Sequence, residues 1–343
     1  MKHHTLRVRA VVDETHDAKS VLFDVPAELA DAFRYRPGQF VTLRLPIGGR
    51  HVPRCYSMSS APALDDALRV TVKRVAQGRG SNWVCDNLRP GDAVEVLPPA
   101  GVFTPRALDG DLLLFAGGSG ITPVYSILRS ALVGGKGRIV LLYANRDERS
   151  VIFRNELQAL AGAHPARLQV LHWLDSVQGV PSVAQLAELA RPWREAEAFI
   201  CGPGPFMDAA QAALRAIDMP PDAIHVERFA SLPDEEEAAA QRTPCNEAAG
   251  IEHSELEITL DGREHCVAAS GSESVLDAAL RAGLAIPYSC REGFCASCRC
   301  QVIDGEVRLR QNDALDDRDL ARGWTLACQA VPLSPRLRIR FPE

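Results

Sequence analysis

Cys290-Arg291-Glu292-Gly293-Phe294-Cys295-Ala296-Ser297-Cys298, with Cys328 further on, is the stretch from which the rest of the chain can be read. Its spacing is C-x4-C-x2-C followed by a distant fourth cysteine. Four thiolates so spaced are the ligand set of a [2Fe–2S] centre. Gly293, Ala296 and Ser297 are small, which lets backbone N–H groups approach the cluster. A zinc knuckle is the competing use of such cysteines, but zinc sites favour paired C-x2-C units. Cys300 stands outside the ligand spacing and is excluded from the set. A [2Fe–2S] centre moves one electron at a time, so the remaining chain should supply an electron source and an exit.

At 343 residues the chain is long enough for two or three domains, each with its own core. The net charge of −6 argues against a nucleic-acid partner. No apolar run approaches membrane-spanning length, so no membrane partner is expected. The start Met1-Lys2-His3-His4 lacks the apolar segment of a signal peptide. Of the ten cysteines, four are committed to the cluster and the rest are scattered, which points to a reducing, cytoplasmic compartment.

Two breaks in pattern divide the chain. Residues 1–107 read as short strands, Leu6–Val12, Gln39–Leu45, Leu68–Val75 and Ala93–Leu97, separated by Pro and Gly turns. That spacing suggests an antiparallel barrel or sandwich. Over 108–230, apolar strands alternate with helices, as in a parallel α/β sheet. Those strands are Leu112–Ala116, Ile139–Tyr143, Leu168–Leu174, Ala198–Cys201 and Ile224–Phe229. Residues 231–250, with the run Asp234-Glu235-Glu236-Glu237, read as a mobile linker. In 251–343, Leu256–Leu260 and His265–Ala268 form a hairpin about Asp261-Gly262. A helix over Ser274–Ala282 then leads to the cysteine loop.

Three further motifs carry chemistry. Arg54-Cys55-Tyr56-Ser57 closes a strand, and its types suit a flavin: guanidinium for phosphate, ring for isoalloxazine, hydroxyl for N5. An ordinary strand end is the bland alternative. Gly78-Arg79-Gly80-Ser81-Asn82 opens a helix to about Leu88, and glycines before a helix N-terminus make an anion site; simple N-capping by Ser81 is the bland alternative, which can hold at the same time. Gly117-Gly118-Ser119-Gly120-Ile121-Thr122-Pro123 follows a strand and opens a helix, which is the placement of a nucleotide-phosphate loop. Pro123 stands where G-x-G-x-x-G has its last glycine, so an ordinary dinucleotide grip is not expected. Cys201-Gly202-Pro203 ends another parallel strand, where ligands bind. Cys201 either faces a nicotinamide or is a small core residue. Phe229 either covers a flavin or belongs to the core.

Taken in this order, Arg54-Cys55-Tyr56-Ser57, Gly118–Pro123 and Cys201-Gly202-Pro203 make the chain resemble the ferredoxin–NADP reductase superfamily. The cysteine loop at the carboxyl end makes it similar to the reductase components of multicomponent oxygenases. Tyr143-Ala144-Asn145-Arg146 and Glu227–Pro233 resemble the reductases of 3-ketosteroid 9α-hydroxylases, with those of phenylacetyl-CoA epoxidases second. The resemblance implies a multidomain protein: an antiparallel β-barrel flavin domain, a doubly wound α/β nicotinamide-binding domain and a β-grasp ferredoxin domain. It implies that Arg54, Tyr56, Ser57, Gly80 and Ser81 bind FAD, and that Gly118, Gly120 and Thr122 bind the nicotinamide nucleotide. It also places Cys201 and Glu227 beside the transferred hydride and Phe229 near the shielding position over the flavin. Cys290, Cys295, Cys298 and Cys328 would hold the cluster.

The implied activity passes electrons from NAD(P)H through flavin and cluster to a terminal oxygenase. The resemblance makes that oxygenase Rieske-type, its substrate class steroid, and the reductase a monomer. Acidic Asp313, Asp316, Asp317 and Asp319 would steer a basic partner, or form a solvated loop. The motifs alone leave FMN, as in the phthalate dioxygenase reductase type, as an alternative to FAD. NADH is the expected donor and NADPH the alternative, with Arg146 or Arg154 available to a 2′-phosphate. A stand-alone redox sensor is the reading from a different class, but no partner-binding module is visible.

Overall fold

The structure, a computed structural model, describes residues 3–229, 253–288, 291, 293, 296–312, 314–315 and 317–342. His3–Phe229 forms one compact unit and the described residues from 253 onward another. The linker expected over 231–250 lies outside the described residues.

The first unit begins with six strands: β1 (His4–Thr15), β2 (Ala18–Asp24), β3 (Phe40–Ile47), β4 (Arg50–Ser57), β5 (Leu68–Lys73) and β6 (Ala93–Ala100). They form one antiparallel sheet in the order β4-β3-β6-β1-β2-β5. An antiparallel bridge between Met58 and Val70 joins its two edges and closes the barrel. Closure removes free strand edges. Val41, Leu43, Val70, Val72 and Val96 are buried inside, and helix α1 (Arg79–Asn87) contributes Val84 and Cys85 to the same core. The β2 strand was not among the expected strands, because Ser20 and Lys19 interrupt its apolar pattern. Leu68–Val75 ends two residues early, at Lys73.

Next comes a parallel sheet: β7 (Leu112–Gly117), β8 (Ile139–Asn145), β9 (Leu168–Leu174), β10 (Glu197–Cys201) and β11 (Ile224–Glu227). The order is β11-β10-β7-β8-β9, the doubly wound arrangement, with its switch point between β7 and β10. Alternate residues supply two cores. Leu112, Leu114, Leu141 and Tyr143 pack against α2 (Ile121–Gly134) and α3 (Arg154–Ala163). Leu113, Phe115, Val140 and Leu142 lie in the other core with residues of the helices Val183–Ala190 and Gly204–Ala216. Burial on both faces explains why β7 reads as an unbroken apolar run. The last strand stops at Glu227, leaving Phe229 outside it.

The second unit has β12 (His253–Leu260), β13 (Arg263–Ser270), β14 (Arg299–Asp304), β15 (Val307–Leu309), β16 (Trp324–Leu326), β17 (Ala330–Pro332) and β18 (Arg336–Arg340). Five of them form a mixed sheet in the order β13-β12-β18-β14-β16, in which β12 and β18 run parallel. The expected hairpin is present: Asp261 and Gly262 both have positive φ, as a two-residue turn of primed type requires. The helix Val275–Arg281 packs Val275, Leu276, Ala278 and Ala279 into this core. Its N-cap is Ser274, whose Oγ accepts from Asp277 N at 3.1 Å.

Candidate redox-cofactor sites

The flavin motif lies at the end of β4, and two sequence segments meet there. Strand alternation puts Arg54 and Tyr56 on one face and Cys55 and Ser57 on the other. Arg54 runs across the first turn of α1: a Cβ on Gly80 would stand 2.7 Å from Arg54 Cγ and 3.0 Å from its Nε. Glycine is therefore required for the guanidinium to lie over this helix N-terminus. No side chain caps the helix, whose N-cap residue is Gly78. A cation beside uncapped N–H groups fits a phosphate. Ser81 differs from expectation. It sits inside the helix, and its Oγ accepts from Val75 N at 3.1 Å, tying the preceding loop rather than capping. The Tyr56 ring packs partly buried against the barrel core. Burial pushes its phenol pKa up, only partly opposed by Arg54, so the hydroxyl stays protonated. Ser57 is buried.

The Gly117–Thr122 segment folds as a 3-10 turn (Gly118–Gly120) running straight into α2. Thr122 and Pro123 occupy the first turn of α2 as expected, and Thr122 Oγ1 donates to Ser119 O at 3.1 Å. Gly120 meets the neighbouring strand end: a Cβ there would lie 2.1 Å from Cys201 O and 2.6 Å from Gly202 N. Thus the loop and Cys201-Gly202 adjoin at the switch point, where the partly exposed Gly118, Ser119 and Gly202 offer backbone that fits a nucleotide. Tyr143 pins this loop, donating to Gly118 O at 3.1 Å and accepting from Ile152 N at 3.2 Å. From the barrel, Lys73 Nζ comes within 3.8 Å of where a Gly118 Cβ would stand. Nothing local in the sequence ties either Tyr143 or Lys73 to the loop.

Cys201 is fully buried in the core shared with Phe199 and Ile121. Its strand partner is Glu227. Burial, reinforced by the Glu227 carboxylate, pushes the thiol pKa well up, so the sulfur is a neutral thiol. Phe229 is 45% exposed and is the one aromatic among the exposed large hydrophobic side chains of the described residues. Arg146 is paired to Asp17 of the barrel at 3.0 Å.

In the second unit, Cys298 and Cys328 are brought together from opposite ends of the motif. Cys328 N donates to Cys298 Sγ at 3.5 Å, and Gln329 Nε2 lies 3.7 Å from Cys328 Sγ. The same Gln329 nitrogen donates to Arg291 O at 2.7 Å. N–H groups aimed at sulfur suit thiolate ligands, so these residues fit an iron–sulfur cluster. Cys290 and Cys295 lie outside the described residues. Cys300 is fully buried, and burial, reinforced by the neighbouring Cys328, pushes its thiol pKa up. Of the acidic group, Asp313 and Asp316 lie outside the described residues. Asp319 is held by Arg299 at 2.6 Å. Among the described residues no helix is long and apolar enough to cross a membrane.

Known proteins carry the same three modules. Residues 5–104 match the family described as the oxidoreductase FAD-binding domain, 114–212 the oxidoreductase NAD-binding domain, and 258–333 the 2Fe-2S iron-sulfur cluster binding domain. The chain is 51% identical over 337 residues to the ferredoxin reductase component of 3-ketosteroid-9-alpha-monooxygenase from Rhodococcus rhodochrous, covering 98% of this chain and 96% of that one. It is 37% identical to one of the subunits of the 1,2-phenylacetyl-CoA epoxidase from Escherichia coli K12, covering 98% and 97%. The structure of phthalate dioxygenase reductase shares the fold with a TM-score of 0.60 at 22% identity, over 99% of this chain and 98% of that one. Flavin, nicotinamide and iron–sulfur modules in this order, with relatives matching from end to end, place the chain in the ferredoxin–NADP reductase superfamily, among the NAD(P)H-dependent electron-transfer reductases that carry a C-terminal [2Fe–2S] domain.

Proposed function

We propose that this chain is the reductase component that supplies electrons from NADH to a separate Rieske-type terminal oxygenase acting on a 3-ketosteroid. The observation that carries the reading is the 51% identity with a 3-ketosteroid-9-alpha-monooxygenase reductase, sustained over 98% of the chain. The domains would run 1–107, 108–230 and 251–343, joined by 231–250. Bound FAD would supply the conversion of one hydride, an electron pair, into two single-electron steps. The chain's own residues do the positioning. Arg54, with Gly80 and Ser81 at the start of α1, would hold the flavin phosphate, and Tyr56 and Ser57 the ring. Gly118, Gly120 and Thr122 would hold the nicotinamide nucleotide at the strand ends that carry Glu227 and Cys201, the Cys201 thiol itself lying in the core. Phe229 would cover the flavin ring. Cys290, Cys295, Cys298 and Cys328 would hold the cluster, from which electrons leave for the partner.

NADH is favoured as donor by the resemblance to the 3-ketosteroid 9α-hydroxylase reductases alone, and Arg146, paired with Asp17 at the surface, and Arg154 keep NADPH as the alternative. The reductase would act as a monomer in the cytoplasm. Anaerobic absorbance titration with NADH should bleach flavin and iron–sulfur bands together. Reconstitution with a steroid-specific Rieske oxygenase should then hydroxylate a 3-ketosteroid. Bleaching only with NADPH would reverse the donor assignment. Coupling to a phenylacetyl-CoA epoxidase in place of the steroid oxygenase would reassign the partner.

A further inference from the structure

Hydride transfer needs donor and acceptor atoms about 3–3.5 Å apart, and a 1 Å misplacement can cost roughly 10²-fold in rate. Here the two groups are assigned to different domains, the acceptor to the barrel and the donor to the parallel sheet. Something must set their separation. The segment just after the flavin motif and the helix just after the nicotinamide loop grip each other at two points. Ser126 Oγ, buried on α2, donates to Ser60 O at 2.6 Å. One turn on, Arg129 makes a two-pronged ion pair with Asp65, Nη1 to Oδ2 at 2.5 Å and Nη2 to Oδ1 at 2.9 Å.

Both ends of this grip are themselves fixed. Asp65 accepts from Ala61 N at 2.8 Å. Ser60 Oγ accepts from the Tyr35 hydroxyl at 2.7 Å and from Arg69 N at 3.0 Å. The Arg129 guanidinium lies 5.4 Å from the Tyr125 ring centre, and Arg69 of β5 lies 4.9 Å from that of Phe153. Tyr125 and Phe153 stack at 4.3 Å. Arginine and carboxylate in this fork geometry specify orientation as well as distance. The covalent paths are short: Ser57 to Ser60 on one side, Gly120 to Ser126 on the other, the latter within a rigid helix.

We propose that Asp65–Arg129 and Ser60–Ser126 form a two-point latch that sets the distance between hydride donor and acceptor, making Asp65, Arg129 and Ser126 positioning residues. The latch rests on the assignment of Ser57 to the flavin and of Gly118–Gly120 to the nicotinamide nucleotide. None of the three residues needs to touch either group.

The test is single-turnover reduction of the flavin in the full chain by NADH, followed anaerobically by stopped flow. Arg129→Gln, Asp65→Asn and Ser126→Ala should each lower the limiting reduction rate about tenfold or more while the NADH dissociation constant stays within about twofold. The swap Asp65→Arg with Arg129→Asp should recover part of the loss. Hydrogen exchange should rise together in residues 57–65 and 118–129 of Arg129→Gln, without loss of flavin. An unchanged limiting rate in Ser126→Ala and Asp65→Asn overturns the proposal. A weakened NADH affinity at an unchanged limiting rate also overturns it. If Arg129→Gln fails to fold, the mild Ser126→Ala variant decides. Should the unaltered protein show no flavin reduction by either NADH or NADPH, the assignment of the two sites fails, a result distinct from failure of the latch.

Discussion

Gly120 shows how much one residue can decide. Its missing side chain lets the loop after β7 rest directly on the Cys201–Gly202 backbone. Gly120→Ala puts a methyl group 2.1 Å from Cys201 O, and both partners are main chain, so neither can swing aside. We expect a loss of roughly 1–3 kcal/mol in stability and a weakened NADH affinity, read by thermal unfolding and by binding titration. Gln329 is a second case. It donates to Arg291 O and approaches Cys328 Sγ, so Gln329→Leu loosens the loop and removes a donor near sulfur. Hydrogen bonds to sulfur raise cluster potentials. The variant should therefore show a lower midpoint potential in a redox titration monitored by electron paramagnetic resonance. Glycine in the loop was visible in the sequence as a motif. Gln329 was not, because its donors reach across the fold to Arg291.

At the scale of elements, the ion pair between α2 and the segment after β4 has a pH signature. Burial alone would raise the Asp65 pKa, but hydrogen bonds from Arg129 and Ala61 N outweigh it and hold the carboxyl below its usual range. A carboxyl depressed on folding contributes stability above its unfolded value, about pH 3.9, and loses it as pH falls through the lower folded value. Asp65→Asn should therefore cost roughly 1–2 kcal/mol at neutral pH, and the gap should shrink as the pH drops below about 4. Denaturant unfolding at several pH values checks this; a gap constant down to pH about 3 would refute it. Helix α1 teaches a related lesson. A serine after glycines at a helix start reads as an N-cap, yet Ser81 sits in the helix and secures Val75 instead. Its partner is decided by the path of the preceding loop.

At the scale of the whole molecule, the chain builds two units with separate cores, one holding the barrel and parallel sheet, the other the β-grasp domain. Residues 3–229 expressed alone should fold, retain flavin and reduce ferricyanide with NADH, but show no iron–sulfur bands. A fragment that aggregates or lacks flavin would mean that the units depend on each other for folding. Calorimetry of the full chain should resolve two transitions, since each unit buries its own apolar faces.

The amino-acid sequence alone determined the domain order, the parallel strands and the hairpin about Asp261-Gly262. These follow from local periodicity and turn chemistry, which act within a few residues of each other. It also marked the cysteine loop, the Arg54–Ser57 segment and the Gly118–Gly120 loop, because each packs its chemistry into one short run. What the tertiary structure alone decided is where the motifs meet. Arg54 over Gly80, Gly120 against Cys201, Lys73 beside Gly118 and Arg129 on Asp65 each join residues from separate elements. Strand order and barrel closure create those neighbours, and no local pattern encodes them. The burial of Cys201 likewise depends on both faces of the sheet being covered.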